Sequence, residues 1–179
     1  MTANAQTAPT VLVIMGVSGC GKSTVASGLA SRLGWEFAEG DDFHPRANVD
    51  KMHDGHPLTD EDRWPWLRRI ADWIAGTKSD SAPGIVTCSA LKRSYRDVLR
   101  APGVVFVHLT ASKELLEERL SARKGHFMPA DLLQSQLDTL EPLGPDERGI
   151  VVDVAAKPDE IVDSILTDLS LAYSESPRD

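Results

Sequence analysis

The sequence predicts an α/β fold, a parallel sheet between two layers of helices, on three observations. Short apolar, β-branched runs stand at residues 10–15, 85–88, 104–109 and 150–154. Between them lie segments with apolar residues at helical spacing, such as Val25, Ala26, Leu29, Ala30 and Leu33. The two kinds alternate along the chain, and strands that alternate with helices build βαβ units, which require a parallel sheet.

Each element has its own justification. Residues 10–15 read as a buried strand. Lys22–Leu33 reads as a helix that Gly34 ends. Residues 35–38 are a short strand. Thr59 followed by Asp62 resembles a capping box, and Leu67, Ile70, Ala71 and Ile74 continue the helix it opens. Residues 85–88 form a strand, 92–100 a short helix and 104–109 a strand. Helices follow over 112–123 and 130–140, then the last strand over 150–154. Pro158 opens the final helix, which carries Ile161, Ile165 and Leu169 on one face. In such a sheet, ligands sit at the carboxyl ends of the strands.

With 179 residues the chain suits a single domain over residues 10–174, with tails at 1–9 and 175–179. Apolar residues make up 41%, enough for a core. No apolar run approaches the ~18 residues that span a bilayer, and the start lacks the pattern of a signal peptide. The expectation is a protein with no membrane partner. A net charge of −8 argues against nucleic acid as well. Basic residues nonetheless cluster at Lys92, Arg93, Arg96 and Arg100, and at Arg119, Arg123 and Lys124, which suggests local anion sites. Cys20 and Cys88 read as reduced, buried thiols of a cytoplasmic protein. His44, His53, His56 and His126 fit no zinc spacing and read as hydrogen-bonding loop residues.

Gly16-Val17-Ser18-Gly19-Cys20-Gly21-Lys22-Ser23 matches G-x-x-x-x-G-K-[ST] in full, between a strand and a helix. This is a P-loop. Gly16, Ser18, Gly19, Cys20, Gly21, Lys22, Ser23 and Thr24 are the candidate nucleotide-binding residues. The glycines let backbone N–H groups turn toward phosphate oxygens, and the helix N-terminus adds its positive end. Lys22 reaches the β and γ phosphates, and the Ser23 hydroxyl is a candidate Mg²⁺ ligand. ATP and Mg²⁺ are the expected cofactors. The loop alone gives nucleotide binding rather than an activity.

A guanine-reading N-K-x-D segment is missing, and D-x-x-G at 146–149 reads as chance. No acid ends the strand at 85–88. Acids end the second strand instead, at Glu39, Asp41 and Asp42. A carboxylate there can accept a proton from a substrate hydroxyl, or support Mg²⁺ through water. Arg119 and Arg123 are four apart on one helix face and lead into a glycine-containing segment. That pattern suggests a lid over about residues 119–140, whose arginines neutralise charge on the transferring phosphoryl group. A small-molecule kinase and a non-catalytic nucleotide-binding protein both remain open at this point.

Longer segments carry a resemblance. Glu39-Gly40-Asp41-Asp42-Phe43-His44-Pro45, Asn48, Lys51-Met52 and Asp60-Glu61-Asp62-Arg63-Trp64-Pro65-Trp66-Leu67 resemble gluconokinases. So do Cys88-Ser89-Ala90-Leu91-Lys92-Arg93, Tyr95-Arg96-Asp97, Gly125-His126-Phe127-Met128 and Ser135-Gln136. The resemblance runs from about residue 11 to 154. It implies a fold like that of adenylate and shikimate kinases, a three-layer P-loop NTPase domain with strand order 2-3-1-4-5 and a mobile helical lid. It implies transfer of the ATP γ-phosphate to the 6-hydroxyl of D-gluconate. It makes Lys22, Asp41 and Arg119 the catalytic candidates, with Asp41 deprotonating the hydroxyl. His44, Arg63, Lys92, Arg93, Arg96 and His126 join Asp41 around the sugar acid. Arg119 and Arg123 reach over the nucleotide, and Pro158 lies beside adenine. Gluconokinases of this type often form homodimers. Trp66, Ile70 and Trp73 share one helical face, and Trp64 or Trp73 is the expected interface residue, unless the rings belong to the core.

Overall fold

The computed structural model describes residues 9–79, 82–122 and 130–171. Five parallel strands form one sheet in the order β2-β3-β1-β4-β5: β1 Val11–Met15, β2 Glu36–Glu39, β3 Gly84–Thr87, β4 Val104–Thr110 and β5 Gly149–Asp153. The expected order is the observed one. Around the sheet lie α1 Lys22–Leu33, α2 Arg46–His53, α3 Asp60–Ser79, α4 Arg93–Leu99, α5 Lys113–Ala122, α6 Ala130–Thr139 and α7 Pro158–Asp168.

Strand periodicity divides the core into two halves. Leu12 and Ile14 of β1 face one layer with Val25, Leu29, Leu116, Leu133, Ile161 and Ile165. Val11, Val13 and Met15 face the other with Trp66, Leu67, Ile70, Ile74, Tyr95 and Leu99. Successive side chains of a strand point to opposite faces, so five consecutive apolar residues fill both layers. A strand buried on both faces in this way belongs at the centre of a parallel sheet, where β1 lies.

Local signals explain several boundaries. Gly34 ends α1 in the left-handed conformation, and its N–H bonds back to Ala30 O at 2.8 Å. Thr59 and Asp62 form the reciprocal cap at the start of α3: Thr59 N–H donates to Asp62 Oδ2 at 2.8 Å, and Asp62 N–H to Thr59 Oγ1 at 3.2 Å. The helix therefore begins well before Pro65, which lies inside it. Trp66 is buried, while Trp64 and Trp73 are half-buried against the same layer. Trp64 meets Tyr95 edge-on at 5.6 Å.

Candidate active site

The loops that leave β1, β2 and β3 converge at the carboxyl end of the sheet. The P-loop is shaped by its glycines. Gly19 and Gly21 hold φ of 87° and 88°. A Cβ on Gly16 would stand 2.7 Å from Leu109 O, so a side chain there would clash with β4. Lys22 Nζ donates to the carbonyl oxygens of Gly16 at 3.0 Å and Val17 at 3.1 Å, which holds the ammonium over the loop. Ser23 and Thr24, in the first turn of α1, are exposed.

Two residues far along the chain brace this loop. Gln136 of α6 accepts from Ser18 N–H at 2.8 Å and donates to Ser18 Oγ at 3.1 Å. Arg119 of α5 places Nη1 3.8 Å from the position of a Cβ on Gly21 and donates from Nη2 to Val154 O at 2.7 Å. It thereby spans the P-loop and the turn after β5 that leads to Pro158, the first residue of α7. Leu133 of α6 is buried in the core, so α6 is anchored at both Leu133 and Gln136. Arg123, expected over the nucleotide, and His126, expected at the sugar acid, lie outside the described residues.

Gly40 sets the position of Asp41. A Cβ on Gly40 would stand 1.8 Å from Thr87 O, so only glycine allows the chain to pass β3 this closely. Gly40 N–H donates to Thr87 Oγ1 at 3.1 Å, and Gly40 O accepts from Trp66 Nε1–H at 2.7 Å. Thr87 Oγ1–H in turn donates to Glu39 at 2.7 Å, which commits Glu39 to the strand end. Asp41 follows on the 3₁₀ turn Gly40–Phe43 with its side chain 92% exposed.

His44 lies 3.9 Å from Asp41 through Nε2 and stacks on Trp66 with centroids 4.2 Å apart. Burial holds its pKa below the ordinary histidine value, against the pull of Asp41, and Arg63 adds to the lowering. Cys88, at the end of β3, feels both Lys22 and Asp41, and burial pushes its thiol up to about 12. Burial also raises the Cys20 thiol, despite Lys22 and Arg119 nearby. Both thiols are therefore protonated and poor nucleophiles.

Beside His44 is a second group, built around Asp60. Its carboxylate accepts from Tyr95 Oη and from Lys92 Nζ, the latter at 3.1 Å, and Arg63 Nη1 lies 3.7 Å away. Arg63 also donates to Tyr95 Oη at 3.1 Å. The Tyr95 hydrogen bond, then that of Lys92, holds Asp60 below the usual carboxylate range. Burial, then the bond to Asp60, raises Tyr95, which stays neutral. One acid between two cations leaves the cluster with a net charge of +1, partly open to solvent. Asp60, Tyr95 and Gln136 were not singled out as site residues in the sequence; the only signals were their membership in the resembling segments.

The structure separates Arg93 and Arg96 from this cluster. Arg96 is 1% exposed. Its guanidinium donates to Glu147 Oε2 at 2.6 Å and Oε1 at 3.0 Å, and to the carbonyl oxygens of Ala90, Leu91 and Pro142. Five N–H groups meet five acceptors, so none remains for a sugar acid. Arg96 instead clamps the loop after β3, where Ala90 holds φ of 45°. Arg93 pairs with Asp146 through both terminal nitrogens. The acids of the 146–149 segment, read as chance, answer this basic helix face.

Comparison with known proteins agrees with the geometry. Residues 11–143 match the family described as AAA domain. The gluconokinase of Gluconobacter oxydans is 52% identical over 160 residues, covering 88% of this chain and 90% of that protein. The thermoresistant gluconokinase of Escherichia coli is 44% identical over 144 residues, 79% of this chain and 82% of that one. The crystal structure of a gluconokinase from Sinorhizobium meliloti superposes with a TM-score of 0.83 at 50% identity, covering 90% of this chain and 92% of that one. A P-loop, an exposed carboxylate behind it and relatives alike over most of their length agree: the chain belongs to the gluconokinase family.

Proposed function

We infer that this protein transfers the γ-phosphoryl group of ATP to the 6-hydroxyl of D-gluconate, giving 6-phosphogluconate and ADP. The relatives' names supply the acceptor. The observation that carries the reaction type is the placement of Asp41: an exposed carboxylate on a rigidly held turn, sharing the surroundings of Cys88 with Lys22. A base beside the phosphate loop suits an alcohol acceptor.

The residues divide the work. The P-loop N–H groups and Lys22 hold the β and γ phosphates and offset the charge that develops during transfer. Asp41 accepts the proton of the attacking hydroxyl. The net positive cluster of Arg63, Lys92 and Asp60 holds the carboxylate and nearby hydroxyls of gluconate, with Tyr95 fixing both Asp60 and Arg63. Arg119 lies over the nucleotide between Gly21 and Val154, and Pro158 beside the base. Among the described residues no group of three His, Cys, Asp or Glu side chains could cage a metal. The exposed Ser23 hydroxyl at the start of α1 fits Mg²⁺ carried chiefly by phosphate oxygens. When bound, the ion would offset phosphate charge.

Release of ADP across a panel of acceptors tests the assignment. Gluconate should support turnover, and shikimate and nucleoside monophosphates should not. Turnover with one of those and none with gluconate would replace the acceptor; ATP binding without turnover on any would make the chain a nucleotide binder.

We also propose a cytoplasmic homodimer. Free, buried Cys20 and Cys88 suit a reducing compartment. Among the described residues no helix is long and apolar enough to cross a membrane. The half-exposed rings of Trp64 and Trp73 are candidates for the two-fold interface. A monomer mass in sedimentation at micromolar concentration would end the dimer.

A further inference from the structure

We propose that Asn48 fixes His44 as its Nε2–H tautomer, so that His44 donates a hydrogen bond to the acceptor hydroxyl while Asp41 alone takes that hydroxyl's proton. The proposal rests on the reading of transfer to an alcohol and assigns the acid–base roles within it.

The argument is one of donors and acceptors. Asn48 Nδ2 lies 2.7 Å from the carbonyl oxygen of Asp62. A carbonyl only accepts, so the atom facing it is the amide nitrogen, and the orientation of the side chain is settled. The same nitrogen lies 3.3 Å from His44 Nδ1. An amide nitrogen has two hydrogens and no acceptor capacity, so Nδ1 must accept the second. The ring proton then belongs to Nε2, the nitrogen directed toward Asp41. Asn48 is 4% exposed and His44 9%, so water does not compete for these bonds.

The ring is also fixed in plane. Trp66 stacks on it at an interplanar angle of 13°, and the same indole holds Gly40 O, the peptide that precedes Asp41. The 3.9 Å between Nε2 and Asp41 Oδ1 is too long for a direct hydrogen bond. One hydroxyl oxygen can sit within about 2.8 Å of both. Its proton points to Asp41 and one lone pair receives Nε2–H, which leaves the other lone pair for phosphorus.

In the reaction that oxygen bonds to the γ-phosphorus. The bond from phosphorus to the bridging oxygen breaks, its electron pair leaves on ADP, and the hydroxyl proton moves to the Asp41 carboxylate. His44 keeps its proton throughout. The charged groups around the ring are Asp41 on the 3₁₀ turn and Arg63 on α3; burial, helped by Arg63, outweighs the pull of Asp41 and leaves the imidazole neutral near pH 7.

Nitrogen-15 NMR of the histidine rings reads the tautomer directly, with His44 assigned by its loss in a variant. The wild type should show Nε2–H near neutral pH, and Asn48→Ala should shift it toward a mixture with kcat down about tenfold and KM for ATP unchanged. His44→Gln places an amide donor near the position of Nε2 and should keep kcat within about tenfold, while His44→Leu loses about 10²-fold. Asn48→Asp sets a carboxylate against Nδ1, draws a proton to that nitrogen and should show as an Nδ1–H signal in the same spectra. An Nδ1–H signal in the wild type, or Gln as damaging as Leu, overturns the proposal. Those two readouts stand even if the Asn48 variants do not fold. The wild-type spectrum also does not depend on which acceptor is used, so a wrong acceptor would be told apart from a wrong tautomer.

Discussion

Trp66 donates its indole N–H to Gly40 O at 2.7 Å, and this bond connects the hydrophobic core of α3 to the peptide before Asp41. A tryptophan with a buried ring and a satisfied N–H is both packing and positioning. Trp66→Phe keeps most of the ring and removes the donor. It should lower stability by about 1–3 kcal/mol, since Gly40 O is left without its partner. It should also lower kcat more than it raises KM for ATP. Denaturant unfolding and steady-state kinetics check the two halves; an unchanged kcat would make the bond purely structural.

Asp41→Asn keeps the shape of the side chain and loses the proton acceptor. Turnover on gluconate should fall by about 10²–10⁴-fold, the range for removal of a general base. ATP affinity, measured by direct titration without acceptor, should change little. An equal loss of ATP affinity would place Asp41 on the nucleotide rather than on the sugar acid.

Lys22→Ala removes the ammonium that the P-loop carbonyls hold over the phosphate site. Turnover should fall by about 10²–10³-fold or more, with circular dichroism unchanged. Retained turnover in a folded variant would contradict the role given to the loop.

Arg96 and Glu147 should govern stability instead of substrate affinity. Arg96→Met leaves Glu147 buried without its partner and should cost about 3–5 kcal/mol. The pair also has a pH signature. Burial raises the Glu147 pKa, but the Arg96 bonds outweigh it and hold the carboxyl below its ordinary value. A depressed folded-state pKa gives stability that is complete above the unfolded value of about 4.3 and is lost as pH falls through the folded one. Unfolding free energy measured from neutral to acid pH should therefore drop less steeply for Glu147→Gln than for the wild type. Equal slopes would remove the pair from the acid response.

The legible parts of this protein are those written locally. The P-loop, the Thr59–Asp62 cap, Gly34 and the strand runs each combine a few neighbouring residues, and all stand where the sequence places them. What the sequence left hidden depends on partners brought together by folding. Arg96 on a basic helix face reads as an anion site until Glu147, far along the chain, is seen to bury it. The same holds for Asp60 with Lys92, and for Gln136 with Ser18. α2 escaped notice because its exposed Val49 and Met52 make no apolar stripe, while its inward residue is the polar Asn48.

The central claim is the position of the phosphoryl group on the acceptor. Proton-coupled ³¹P NMR of a reaction of ATP and D-gluconate with the wild-type protein reads it directly. A single new phosphomonoester coupled to the two C6 methylene protons, with ADP formed in equal amount, is the predicted result. An ester at another carbon, or ADP appearing with inorganic phosphate and no ester, would contradict the account.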